Sequence, residues 1–289
     1  MKMKTYFTIV VPTLNEEKHL PNLFKDLSKQ IFKNFQVVVV DANSNDKTGA
    51  IAKKNKAKVI ISGKKNVSYQ RNLGTKNADT DWVIFMDADN RIPKNYLSGL
   101  KHHAEKLDPD ILSTWLKPDT NLSQDKITAT IMNVFMDINK NSKRPYVMES
   151  MMLIKKSSFE KLKGFDVGIN WREGEDLLER ALAQKMTFEF VKTPKYKYSF
   201  RRFKKIGAFK MFQEMSQIEI MKMLKGGKLT RKETALLYPM NGGNFYKTGK
   251  VPKLTLQKFI SILFQDNKIS KKSVSLFEKS LDSWKSFFG

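Results

Sequence analysis

The sequence predicts an α/β protein: a mostly parallel, twisted sheet with helices on both faces. Two observations carry that expectation. Short apolar runs rich in β-branched residues alternate with segments of helical periodicity, the pattern of strand–helix–strand units. Polar and acidic residues also follow directly after several of those runs, where ligands bind on open α/β sheets.

The elements follow in order. Tyr6–Val11 is a buried strand closed by Pro12, and Leu20, Leu23, Phe24, Leu27 and Ile31 lie at helical spacing behind it. Phe35–Val40 is a second buried strand, Lys47–Asn55 a short helix and Lys58–Ser62 a third strand. Asn66 is a candidate cap for a helix running toward Ala78. Trp82–Met86 is a fourth strand, stopping at an acidic turn, and Pro93 suits the first turn of a helix through about Lys106. Beyond Ile111 the pattern loosens. Ser123–Asn141 reads as a helix with Ile127, Ile131, Val134, Phe135 and Ile138 on one side. Met148–Ile154 reads as a strand, Ser158–Leu162 and Gly174–Gln184 as helices, and Phe188–Val191 as a last strand. Phe200–Leu224 is a basic amphipathic stretch ended by Gly226-Gly227, and the tail holds an apolar run, Leu254–Phe264. This divides the chain into an α/β domain, residues 1–198, with a first half at 1–110 and a second at 111–198, and a basic helical C-terminal extension, residues 199–289.

Composition narrows the function. A length of 289 residues with 40% hydrophobic and 11% aromatic content supports a full core. The absence of cysteine excludes disulfides, thiolate metal sites and cysteine nucleophiles, and fits a cytoplasmic protein. No apolar run reaches the roughly 20 residues needed to cross a bilayer, and the N-terminus lacks a signal-peptide core. The formal charge is +24, and from Lys195 onward there are 21 Lys+Arg against 6 Asp+Glu. A basic, aromatic-rich region of this kind points to an anionic partner such as the inner face of a membrane. Phe203, Ile206, Phe209, Phe212, Met215 and Met223 fall on one side of the stretch, which suits an interfacial helix or one packed on the domain. A lysine-rich surface serving solubility is the plainer reading.

Asp87-Ala88-Asp89 is the first chemical motif. Two carboxylates one residue apart after a buried strand offer hard oxygen ligands to Mg²⁺ or Mn²⁺, and such an ion would bridge the phosphates of a nucleoside diphosphate. Alone, the pattern is common. Here it closes a series: Val11-Pro12-Thr13-Leu14-Asn15-Glu16-Glu17, then Val39-Val40-Asp41-Ala42-Asn43-Ser44-Asn45-Asp46, then Arg71-Asn72-Leu73-Gly74, then Trp82–Asp89. A second constellation follows, Gly164-Phe165-Asp166 and Trp171-Arg172-Glu173-Gly174-Glu175-Asp176-Leu177-Leu178-Glu179-Arg180. Acids at a helix start are also favoured by the helix dipole, which is the structural alternative.

In order and spacing this series resembles family 2 glycosyltransferases over roughly Tyr6 to Tyr198. The resemblance implies the GT-A fold, a Rossmann-like sheet, and inverting transfer of a sugar from a nucleotide diphosphate sugar to an acceptor glycan or lipid-linked sugar. It implies that Asp41 holds the base, Glu16 or Glu17 the ribose region, and Arg71 the base or diphosphate. Asp87 would position ribose and metal, and Asp89 would be the main ligand of Mn²⁺ or Mg²⁺. Asp176, with Glu175 beside it, would be the catalytic base, so that Asp176→Asn abolishes transfer but not donor binding. Pro12, Asn15 and Ser44 complete the donor rim, although turn and cap chemistry accounts equally well for Asn15 and Ser44. Ser199-Phe200-Arg201-Arg202 matches a stretch found in some relatives, making Arg201 and Arg202 candidates for the donor phosphates or acceptor gate. Ala42 departs from the family, which often has Asp or Gly there, and this leaves base preference open.

His19, His102 and His103 lack metal-ligand spacing. Trp171 is a candidate for a sugar subsite. A nucleotidyltransferase would be expected to carry a glycine-rich loop after the first strand, and Pro12–Glu17 has no glycine. A nucleic-acid-binding protein fits the charge, but no such motif is present and the acidic rim would repel phosphate without a metal. No nucleic acid is expected.

Overall fold

The structure is a computed structural model that describes residues 5–142, 145–169 and 172–206. Seven strands form one sheet in the order β3-β2-β1-β4-β6-β5-β7. Strands β1 (Phe7–Thr13), β2 (Phe35–Asp41), β3 (Lys58–Ile61) and β4 (Trp82–Met86) are mutually parallel. β6 (Met151–Lys155) runs antiparallel to both β4 and β5 (Ile111–Pro118), and β5 pairs in parallel with β7 (Phe188–Tyr198). β1 and β4 are buried along almost their whole length, as central parallel strands covered on both faces must be.

The helices cover the faces. α1 (Leu20–Ser28) buries Leu20, Leu23, Phe24 and Leu27. It stops before Ile31, which is exposed and not part of its apolar stripe. α2 (Thr48–Lys54) is short. α3 (Val67–Lys76) starts where Asn66 Oδ1 accepts the Tyr69 amide at 2.7 Å. It lies close to β1 because Gly74 has no side chain: a Cβ there would stand 2.3 Å from Val10 Cγ1. Gln70 then reaches between strands, donating to the Thr13 and Val40 carbonyls at 3.0 and 2.7 Å. α4 (Tyr96–Leu107) begins three residues after Pro93.

Three features depart from the expectation. β5, where the pattern loosened, is a full strand that buries Ser113 and Thr114 with their hydroxyls paired to the Met151 carbonyl and the Tyr96 hydroxyl. β7 continues to Tyr198 through lysines and Pro194, which an edge strand tolerates because one side of it carries no ladder. α5 (Ser123–Asn139) turns its apolar residues outward, with Ile131 and Ile138 64% and 76% exposed. Its rotation is set by Asn133, whose side chain clasps the Leu116 amide and carbonyl at 2.9 and 2.8 Å. α6 (Lys156–Lys161), α7 (Glu173–Ala183) and α8 (Arg201–Ile206) complete the described elements. None of the described helices is long and apolar enough to cross a membrane. The amphipathic stretch beyond Ile206, the apolar run 254–264 and Trp171 lie outside the described residues.

Candidate active site

Three adjacent parallel strands deliver acids to one rim. β1 and β2 end in register, Thr13 opposite Asp41, and β4 ends one residue before Asp87. The loops beyond β1 and β2 are laced together. The Asp41 carboxylate is buried and accepts from the Thr13 hydroxyl at 3.0 Å, the Ser44 amide at 3.1 Å and the Ser44 hydroxyl. Ser44 Oγ in turn accepts the Asn15 amide at 2.8 Å, and Asn15 Oδ1 accepts the Asn45 amide at 2.9 Å. Asn15 adopts a left-handed backbone, φ 56°, which asparagine tolerates better than most residues. The polar atoms of Asn15 and Ser44 are therefore used to shape the rim. Pro12 lies within β1 opposite Val40 and makes no side-chain hydrogen bond.

A second cluster is built on Arg201, at the start of α8. Its guanidinium pairs with Glu16 at 3.1 Å and with Asp89 at 2.9 Å, drawing the β1 loop, the acidic turn and the end of β7 together. Burial pushes the Glu16 carboxyl up to about 7, with Arg201 pulling the other way and Asp89 and Asp87 adding to the rise. Burial likewise raises Asp89 against the pull of Arg201. Arg202 is half-buried beside Arg201.

The third cluster surrounds Arg71 on α3. One terminal nitrogen donates to Asp87 at 3.0 Å and the other to Glu173 at 2.9 Å, while the side chain is 2% exposed. Burial works against its charge, but Asp87, Glu173 and Glu149 outweigh that and hold the guanidinium above its ordinary range. Arg71 was expected to offer paired donors to the donor base or diphosphate. In the structure both terminal nitrogens bond carboxylates, those of Asp87 and Glu173. Asp87 keeps one oxygen beyond Arg71 and is 36% exposed, the most open acid of the pair.

Helix α7 opens with Glu173, Glu175 and Asp176. Glu175 is buried and ion-paired with Arg172. Asp176 accepts from Arg180 one turn later, Nε and Nη2 both at 2.9 Å from Oδ2. Arg180 is itself anchored on the Leu162 and Gly164 carbonyls. Arg201 thus joins Glu16 to Asp89, Arg71 joins Asp87 to Glu173 of α7, and Asp41 is held by Thr13 and Ser44, whereas Asp176 and Glu175 bond within their own helix and its approach. Two members of the site escaped the sequence reading. Glu173 was seen only as part of an acidic run, and Glu149 was read as part of the strand Met148–Ile154, whereas it stands in the turn before β6.

A divalent ion can be weighed against these residues. Among the described residues no three acidic or histidine side chains converge on one cation-sized point. Asp87 and Asp89 offer two hard carboxylates, and Mg²⁺ or Mn²⁺ sites commonly combine one or two carboxylates with substrate phosphates. The donor set fits an ion that arrives with a diphosphate.

A half-sheet of parallel strands with acids beyond its carboxyl ends defines an α/β protein that takes its ligand at that rim. Residues 8–163, more than half of the chain, match the model for "Glycosyl transferase family 2", and the chain belongs to that family. It is 36% identical over 114 residues to the Staphylococcus aureus poly(ribitol-phosphate) beta-N-acetylglucosaminyltransferase TarS, a match covering 35% of this chain and 20% of TarS. It is 26% identical over 106 residues to the Campylobacter jejuni GalNAc(5)-diNAcBac-PP-undecaprenol beta-1,3-glucosyltransferase, covering 34% of each. These matches span about a fifth to a third of the relatives' lengths. Among solved structures, TarS residues 1–349 in complex with UDP-GlcNAc superimposes with a TM-score of 0.58 at 19% identity, over 92% of this chain and 82% of that one. The mannosyltransferase PcManGT from Pyrobaculum calidifontis, in complex with GDP-Man and Mn²⁺, gives 0.60 at 14% identity, over 96% and 79%. The fold is that of the GT-A structures.

Proposed function

We propose that this chain transfers a sugar from a nucleoside diphosphate sugar to an acceptor hydroxyl, with inversion at the anomeric carbon. The observation that carries the reading is the convergence of Asp41, Glu16, Asp87 and Asp89 at the ends of adjacent parallel strands, in a chain of this family. Asp41, fixed by Thr13 and Ser44, faces the nucleoside, with Pro12 and the Asn15 turn shaping its pocket. Glu16 borders the ribose. Asp87 and Asp89 would hold Mn²⁺ or Mg²⁺, which would supply positive charge against the departing diphosphate.

Arg71 holds Asp87 in place from behind. Arg201, which pairs with Glu16 and Asp89, and Arg202 serve the diphosphate, since phosphate offers a guanidinium the same paired acceptors as a carboxylate. The acceptor proton leaves to a carboxylate at the α7 side of the rim, where Glu149, Glu173, Glu175 and Asp176 stand. The acceptor is a glycan or lipid-linked sugar. Support for this comes from the excess of lysine and arginine after Lys195 and from the undecaprenol-linked acceptor in the name of the C. jejuni relative. Sedimentation with anionic vesicles tests work at a membrane surface: binding that salt does not weaken, or no binding, counts against it.

The transferase reading is tested by incubating the chain with Mn²⁺ and a panel of nucleotide sugars and measuring nucleoside diphosphate release. Release from at least one donor, lost on chelation and restored by the ion, is expected. Release of pyrophosphate from nucleoside triphosphate and sugar phosphate instead would make it a nucleotidyltransferase.

A further inference from the structure

Independently of the transferase reading, we propose that helix α5 pairs with the α5 of a second copy of this chain. The two helices run antiparallel, with Ile127, Ile131, Val134 and Ile138 as the seam between them. The starting point is a helix that lies the wrong way round. α5 packs onto its domain through Asp125, Ala129, Asn133 and Met136, a stripe half of which is polar. Its outward stripe holds Ile127, Ile131, Val134, Phe135 and Ile138, between 43% and 76% exposed. A surface helix ordinarily buries its apolar stripe and shows its polar one. The Asn133 clasp on the Leu116 amide and carbonyl keeps α5 from rolling over, so the stripe has to be covered from outside. Among the described residues ten large apolar side chains are exposed, and half of them are these five; the others lie apart along the chain. A contiguous patch of this kind, unlike scattered single residues, marks a contact surface.

Spacing and charge identify the occupant. Ile127, Ile131, Val134 and Ile138 follow one another by four, three and four residues, the interval that keeps a seam facing a partner helix. The positions bordering that seam are Thr128, Thr130, Phe135 and Asp137, with no lysine or arginine among them in a chain that has 53. Lys126 and Lys140 stand off the seam, toward the domain side, and Lys140 pairs with Asp137 at 3.2 Å. A helix laid on an anionic membrane would carry its cations along the apolar border. This border is neutral, as the meeting of two copies of a strongly cationic chain requires.

The seam also complements itself. Turned end for end about the point between residues 132 and 133, Ile127 meets Ile138 and Ile131 meets Val134, as an isologous contact demands. The same turn brings Thr130 toward Asp137 and Thr128 toward Phe135, so no like charges meet. A parallel pair would stack β-branched Ile127 and Val134 on themselves at the positions where two-stranded coils favour leucine, and would align the helix dipoles. Phe135 is steadied edge-on by Tyr146 at 5.8 Å, and Tyr146 lies under Arg172 at 4.9 Å, which joins one edge of the seam to the opening of α7. Stable complexes bury about 800 Å² on each partner. Five half-exposed side chains supply roughly a few hundred, so the dimer is weak and reversible, with a dissociation constant on the order of micromolar.

Sedimentation velocity of the full chain, over about a hundredfold range of concentration around the micromolar, tests the pairing. The wild type should pass from monomer to dimer as concentration rises. Ile131→Glu, which sets a charge in the seam, should weaken dimerisation by about a hundredfold or more, while its melting temperature at low concentration stays at the wild-type value. Because the chain has no cysteine, the register can be read by oxidation. Ile127→Cys and Ile138→Cys together should give a disulfide-linked dimer, and Ile127→Cys alone should not. This pair answers the question if the glutamate variant does not fold. A chain that stays monomeric throughout, or a dimer that Ile131→Glu leaves intact, overturns the proposal. So does a monomer that Ile131→Glu destabilises, which would mean that the stripe is covered within the chain. A monomer that sediments with phosphatidylglycerol vesicles and loses this with Ile131→Glu would give the stripe to a membrane instead. Cross-linking by Ile127→Cys alone would overturn the antiparallel register.

Discussion

Replacing Arg71 by alanine should be the most damaging single change in the rim that touches no apolar residue. Its two ion pairs, at 3.0 Å to Asp87 and 2.9 Å to Glu173, are each worth about 5 kcal/mol at an effective dielectric near 20. Most of that gain offsets the cost of taking the charges out of water, so the net worth of the intact cluster is small. Breaking it is another matter: Glu173, Asp87 and Glu149 would share the space with no cation, and leaving buried charges uncompensated costs about 3–5 kcal/mol. Urea unfolding at neutral pH measures this as a lower midpoint at unchanged slope. The deficit should shrink on acidification. Carboxyls that are raised in the folded state cost stability above their ordinary value of 4.5, and the cost fades as pH drops and they take protons. Adding Glu173→Gln to the alanine variant should recover part of the loss. A wild-type midpoint for Arg71→Ala, or a deficit that grows toward low pH, would refute the hub.

Two further outcomes follow from the same coordinates. Burial lifts Glu16 to about 7 from 4.5, so the folded chain holds a proton through that window that the unfolded chain has lost; stability should decline between those pH values by up to about 3 kcal/mol, and Glu16→Gln should flatten the decline in unfolding curves taken across pH. Gly74→Ala forces a Cβ to within 2.3 Å of Val10 Cγ1 and should cost about 1–3 kcal/mol, with Val10→Ala restoring part of it; a neutral Gly74→Ala would mean that α3 can shift off β1 without penalty.

The parallel half was legible because its strands are covered on both faces, and continuous apolar runs such as Val37–Val40 and Trp82–Met86 have little other use. Asn66 was readable for a local reason, since a cap bonds its own helix. β5 was not, because its buried Ser113 and Thr114 break the apolar run, and only partners 38 residues ahead and 18 behind satisfy them. The apolar side of α5 pointed the wrong way on helical periodicity, since Asn133 fixes the rotation through a polar clasp. Motif order led to the acids at the strand ends, but it had no means of showing that Arg71 turns inward to Asp87 and Glu173. Nor did it bring Glu149 against Gly174, where an added Cβ would stand 2.9 Å from Glu149 Cβ. Both are contacts between distant segments, written in no local pattern.

The claim that the rim takes a diphosphate together with a divalent ion is tested most directly by calorimetric titration of UDP and GDP into the full chain, with and without Mn²⁺. At least one diphosphate should bind at least tenfold more tightly with the ion, and Asp89→Asn should abolish that difference while leaving the melting temperature close to wild type. Binding of neither diphosphate, or binding indifferent both to Mn²⁺ and to the loss of the Asp89 carboxylate, would contradict the account.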